Sequence, residues 1–182
     1  LKSIQDIEEA RDYVRRGLVI AYPTEAVYGL GCDPFQEHAV RRILEIKQRL
    51  VGQGMIILIA DWPQLSDLID AIPEVAMNRV RASWPGGSTW VFPKSNIIPS
   101  WISGDRDSVA IRMTTHPVAM ALCREGPVVS TSANLHGQPP ARHVHELQLQ
   151  FPDGIDGLVS GDLGQASQPS AIYDVLTGDR LR

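Results

Sequence analysis

Residues 18–31 read LVIAYPTEAVYGLG. Leu18–Tyr22 is an apolar run of strand length that empties into Pro, Thr and Glu before a Gly-Leu-Gly turn. Pro23 lacks an N–H, so it stops the ladder there. Thr24 and Glu25 then stand at a strand's end, where open α/β sheets hold their ligands. Gly29 and Gly31 permit a positive φ or a close backbone approach. A strand that ends this way serves a site as well as a core.

The flanking sequence supplies the rest of a sheet and its helices. Ser3-x-x-Asp6 resembles a capping box opening a helix through Arg16, with Gly17 as its stop. Asp33-Pro34 fits an N-cap followed by Pro at N1, and Val40, Ile43, Leu44 and Lys47 carry helical spacing to about Gln48. Met55–Ala60 is a fully apolar strand. Asp61 caps a short helix bearing Leu65, Leu68 and Ile69, and Pro73 opens another that ends near Ser83. Trp84-Pro85-Gly86-Gly87 is a turn. Strands are expected at Ser88–Phe92, Ser108–Met113, Pro127–Thr131, Leu158–Ser160 and Ile172–Val175, with helices from Pro117 to Cys123 and near His145–Gln150. Several strands follow one another with no room for a crossover helix. That pattern predicts an α/β (α+β) domain with a mixed sheet and helices on its faces. No repeat or long linker interrupts it, so one domain is expected over residues 1–182.

Composition narrows the function. The chain has 182 residues, 43% apolar and 21% charged, as in ordinary globular domains. No apolar run approaches the ~20 residues of a membrane span. Cys32 and Cys123 belong to no C-x-x-C or zinc pattern and read as reduced thiols of a cytoplasmic protein. The net charge of −4 opposes broad nucleic-acid binding, so any anion site must be a local gathering of Lys and Arg.

Three segments can carry chemistry. Lys47-Gln48-Arg49 ends a helix, where its cations either meet the helix dipole or clamp phosphate, Lys as a point charge and Arg as a planar fork. Arg112 lies in an apolar strand, where it either pairs with a carboxylate such as Glu25 or awaits an anionic ligand. Ser130-Thr131-Ser132-Ala133-Asn134 ends another strand with side chains that either bind a ligand or close their own turn. There is no GxxxxGK[ST] loop, no complete dinucleotide fingerprint, no zinc-ligand spacing among the five histidines and no GxSxG elbow.

In order, YPTEAVYGLG (22–31), KQR (47–49), SVAIR (108–112), STSAN (130–134) and QPSAIYD (168–174) resemble the YrdC family, the short bacterial single-domain members most closely. Each motif alone is weak; five in the family's order, from about Gly17 to Arg182, are specific. The resemblance implies a twisted mixed parallel/antiparallel sheet flanked by helices around a concave, positively charged cleft. It implies synthesis of threonylcarbamoyl-AMP and pyrophosphate from L-threonine, bicarbonate and ATP, with Mg²⁺ accompanying ATP and no protein-held metal. The product would pass to a transferase complex that modifies the adenosine beside the anticodon of tRNA, and weak tRNA or RNA contact is compatible with this. Carried over by motif, Thr24, Arg112 and Ser130 surround threonine; Arg49, Ser108, Ser132, Asn134 and Arg182 surround ATP; Lys47 and Arg49 are the catalytic cations. The chain departs from the commoner pattern at Leu50, Gln53, Gly54, Leu58, His136, Pro140 and Ala171. A second class remains open: a module that binds double-stranded RNA or tRNA through the same cleft, which a steep salt dependence would reveal. Carbamoyl transfer in hydrogenase maturation, which uses a related domain, ranks below both.

Overall fold

Successive residues of a strand point to opposite faces, and β2 (Ile20–Pro23) shows what that does here. Ile20 and Tyr22 enter one apolar cluster with Leu58 and Val128, while Ala21 enters another with Leu30, Ile43 and Ile57. The sheet is thus buried on both faces. The computed structural model describes residues 1–49, 52 and 54–182. Leu50 and Gln53, two of the positions where the family pattern is broken, lie outside the described residues.

In chain order the elements are β1 (Lys2–Ile4), α1 (Ile7–Arg15), β2, β3 (Tyr28–Gly31), α2 (Glu37–Ile46), β4 (Ile56–Ile59), α3 (Trp62–Leu68) and α4 (Glu74–Ser83). Then come β5 (Ser88–Pro93), α5 (Ser100–Ser103), β6 (Ser108–Met113), α6 (Pro117–Cys123), β7 (Val128–Ser132), α7 (Val144–Gln150), β8 (Gly157–Val159) and β9 (Ala171–Asp174). The strands lie in the order β1-β8-β2-β3-β7-β4-β6-β5-β9. Pairs β1–β8, β2–β8, β4–β6 and β5–β9 are parallel. Pairs β2–β3, β3–β7, β4–β7 and β5–β6 are antiparallel. The expected mixed sheet is therefore present.

Three expectations need correction. Ser3 is not a cap: it lies in β1 opposite Leu158, because the buried Ile4 pairs with Val159, and Asp6 alone caps α1 by accepting from the Glu8 N–H at 3.1 Å. Asp33 closes a turn, accepting from the Phe35 N–H at 2.8 Å, so α2 starts only after Gln36; that side chain is turned back to Asp33 and the Arg15 carbonyl. The Gly-Leu-Gly segment is strand β3, with neither glycine at positive φ.

Gly31 is required by close approach. A Cβ there would sit 2.7 Å from Tyr22 Cε1 and 2.8 Å from the Val129 carbonyl oxygen. Backbone cannot yield as a flexible side chain can, and overpacking costs about 1–3 kcal/mol. Gly31→Ala should lower stability by about 2–3 kcal/mol in urea unfolding; a change below about 0.5 kcal/mol would show that β2, β3 and β7 separate easily.

Candidate functional site

Strands β2, β3, β7, β4 and β6 are successive neighbours, and their registers assemble the motifs. Gly29 faces Ser132, Ile56 faces Ser130, and Leu58 faces Arg112. Beside them opens a cleft of about 750 Å³. Thr24, Arg112 and Ser130 line it, as do Arg49, Ser108, Ser132, Asn134 and Arg182. Lys47 is not in its wall. Pro140 lines the cleft, whereas Leu58 is fully buried beneath it.

At one end Arg112 Nη1 donates to Glu25 Oε2 at 2.9 Å, in a pair whose side chains are 10% and 15% exposed. Thr114 Oγ1 and the Thr115 N–H donate to Glu25 Oε1 at 2.7 and 3.1 Å. Burial alone would push the Glu25 carboxyl up, but Arg112, Thr114 and Thr115 together hold it below its ordinary value. Of the two readings of Arg112, pairing with Glu25 is the one observed. Among the described residues no acceptor takes its Nη2 or Nε donors, which leaves them for a ligand in the cleft. Thr24 gives its hydroxyl proton to the Val27 carbonyl at 2.6 Å, so its oxygen can serve a ligand as an acceptor.

The Ser132–Asn134 loop closes on itself. Ser132 Oγ donates to Asn134 Oδ1 at 2.6 Å, and Asn134 Nδ2 donates to the carbonyls of Leu135 and Gln138, each at 2.9 Å. Lys47 lies beneath this loop, 4% exposed. Its ammonium donates to the Ser132 carbonyl, to the Asn134 carbonyl at 2.7 Å and to Asn134 Oδ1 at 3.3 Å. Its own carbonyl accepts from the His136 N–H at 3.1 Å. Gln48, with φ at 51°, turns the chain between Lys47 and Arg49 and sends the two cations to different places.

Burial first, and then the charge of Arg49, lowers Lys47 to about 8. As pH rises through that value the ammonium loses one of three donors, and the loop loses an anchor. The pH–rate profile of any reaction this cleft supports should therefore fall above about pH 8. In Lys47→Arg the charge persists, so the fall should vanish even if the overall rate drops. An identical alkaline limb in that variant would remove Lys47 from the account.

The other end is cationic. Arg49 Nη2 donates to the Gly54 carbonyl at 3.0 Å. Burial first, then Arg182 and Arg106, pushes Arg49 below its ordinary value, which marks like charges gathered on one wall. Arg182 is pinned there: Leu181 N–H donates to the Ile172 carbonyl at 2.7 Å, and the Ile172 N–H donates to the Arg182 carbonyl at 3.1 Å. Arg106 belongs to none of the sequence motifs; its signal is its place two residues before Ser108 on the approach to β6. A second missed feature is the segment around Gly164–Ala166, whose N–H groups donate to the Thr24 and Glu25 carbonyls at 2.9 Å each. Arg142 ties the Ala26 carbonyl to that of Ala166.

Cys32 and Cys123 are buried, and burial raises both thiols, Cys123 to about 12, so neither is a ready nucleophile. Among the described residues no group of three or more His, Cys, Asp or Glu is placed to hold a metal ion. No helix among them is long and apolar enough to cross a membrane.

Residues 12–182 match the protein family Sua5/YciO/YrdC, described as "Telomere recombination". The chain is 47% identical over 180 residues to the threonylcarbamoyl-AMP synthase of Coxiella burnetii, covering 98% of this chain and 97% of that one. It is 47% identical over 178 residues to the synthase of the same name from Cellvibrio japonicus, covering 97% and 94%. Among solved structures, P. abyssi Sua5 complexed with L-threonine superposes with a TM-score of 0.87 at 35% identity, over 95% of this chain and 53% of that one. This chain thus spans about half the length of the P. abyssi protein.

Proposed function

The chain belongs to the Sua5/YciO/YrdC family, and on that premise we propose that it is an L-threonylcarbamoyladenylate synthase acting as a single domain. One observation carries the reading: Arg112, paired on one side to Glu25, and the group Arg49, Arg106 and Arg182 line the same cleft. Arg112 and Ser108 lie four residues apart on β6 and both line it, about 13 Å from one another at the rise of a strand. That separation suits an amino acid at one end and a nucleotide's phosphates at the other.

In this reading the free donors of Arg112 take the threonine carboxylate, and Ser130 and Thr24 hold the rest of the amino acid. The amine must be neutral to react, and removal from water favours its neutral form. The amine nitrogen forms a bond to the carbon of bicarbonate; water leaves, and a carbamate results. A carbamate oxygen then bonds to the α-phosphorus of ATP as the bond to the β-phosphate bridging oxygen breaks, releasing pyrophosphate. Charge develops on phosphate oxygens, where preorganised cations act most strongly. Arg49 and Arg182 supply that charge, with Ser108 and Ser132 as polar partners, while Asn134, its amide engaged within the loop, shapes the nucleotide side of the cleft. Lys47 acts from beneath, holding the Ser132–Asn134 loop in shape. Mg²⁺ would enter with ATP and lend positive charge to its phosphate oxygens. The adenylate is a mixed anhydride, a product suited to a transferase that modifies tRNA in the cytoplasm.

The test is product identification by mass after incubation with L-threonine, bicarbonate and ATP. Threonylcarbamoyl-AMP should form only when all three are present. AMP or pyrophosphate without the carbamoylated adenylate would refute the reading.

A further inference from the structure

Arg106 is exposed on the cleft wall and has no hydrogen bond or ion pair among the described residues, although Asp105 and Asp107 flank it. The backbone around it lies close to the segment that follows Arg49. Gly104, at φ +63°, lies so near Gly52 that a Cβ would meet the Gly52 carbonyl oxygen at 2.6 Å. A Cβ on Gly54 would lie 2.6 Å from Arg106 Nη1, and the carbonyl of that same Gly54 accepts from Arg49 Nη2 at 3.0 Å. Arg49 and Arg106 therefore bracket one glycine, with Arg182 close enough to depress Arg49 as well. Like charges brought together with no carboxylate paired to Arg106 repel one another, at a cost in free energy. A polyanion between them would recover it.

We propose that Arg106 is a further phosphate-binding residue of this cleft, closing with Arg49 and Arg182 on the pyrophosphate portion of the nucleotide and on the pyrophosphate released. The inference rests on the synthase reading for its substrate and goes beyond it in assigning a residue outside the shared motifs. Arg112 and Glu25 neutralise each other at the far end, so a polyphosphate is drawn to the Arg106 end. The planar fork of Arg suits two phosphate oxygens at once.

The experiment uses the full chain and inorganic pyrophosphate as the probe. Calorimetric titration of the wild type, Arg106→Ala and Arg106→Lys is paired with steady-state KM values for ATP and L-threonine. Loss of one charge-assisted contact at an exposed site should weaken pyrophosphate binding and raise the ATP KM about tenfold in Arg106→Ala. The threonine KM should stay unchanged, and Arg106→Lys should recover part of the loss. A general structural role would move both KM values together and so overturn the assignment. Equal pyrophosphate affinity in the wild type and Arg106→Ala, or none in either, would also overturn it. If pyrophosphate binds through Arg106 but the wild type makes no adenylate, the phosphate site stands and the synthase reading falls.

Discussion

Arg112→Ala should lower kcat/KM for L-threonine by about 10³-fold while leaving ATP binding nearly intact. The guanidinium has two tasks in the account. It would receive the substrate carboxylate, and it already balances Glu25 at 2.9 Å in a largely buried pair. Removing one partner of such a pair leaves the other charge uncompensated, at a cost of about 3 kcal/mol in stability. Glu25 would retain Thr114 Oγ1 and the Thr115 N–H but not its countercharge. Adding Glu25→Gln to Arg112→Ala should therefore restore much of the stability and none of the activity. Measuring both quantities in the single and double variants separates the two tasks. If the double variant regained activity along with stability, Arg112 would be structural and the amino-acid site would lie elsewhere.

Arg49→Ala is expected to reduce kcat by about 10²–10³-fold, the usual scale for deleting one preorganised group that stabilises developing charge. The ATP KM should rise and the threonine KM should not. Arg49 also donates to the Gly54 carbonyl, so truncation could act by loosening its loop. Arg49→Lys distinguishes these effects: it keeps the charge and loses the planar fork. Partial rescue by Lys supports a phosphate contact. Equal loss in both variants with an unchanged ATP KM would assign Arg49 to the loop instead.

What could be read from the residues, and what could not, follows from the range of the forces involved. β2, β4 and β6 announce themselves as apolar runs because both faces of the sheet are buried. Arg112 stands out within one of them as a cation needing a partner. β3 was hidden because Gly29 and Gly31 carry no side chain to show a period, and their reason is the closeness of Tyr22 and Val129 across the sheet. β1 and α5 are three and four residues long, too short for any period to show. Lys47 and Arg49 look equivalent in KQR, and only the backbone at Gln48 separates them. Arg106 depends on the contact of two loops through Gly52 and Gly104, which no local pattern records.

In the proposed reaction one cleft joins an amino acid held at Arg112 to a nucleotide held at Arg49. It is tested most directly by a reaction with ¹³C-bicarbonate, in which pyrophosphate and labelled adenylate are counted together. One pyrophosphate is expected per threonylcarbamoyl-AMP, with the label in its carbamoyl carbon and neither product when L-threonine is omitted. Pyrophosphate released at the same rate without threonine, or an adenylate lacking the label, would contradict it.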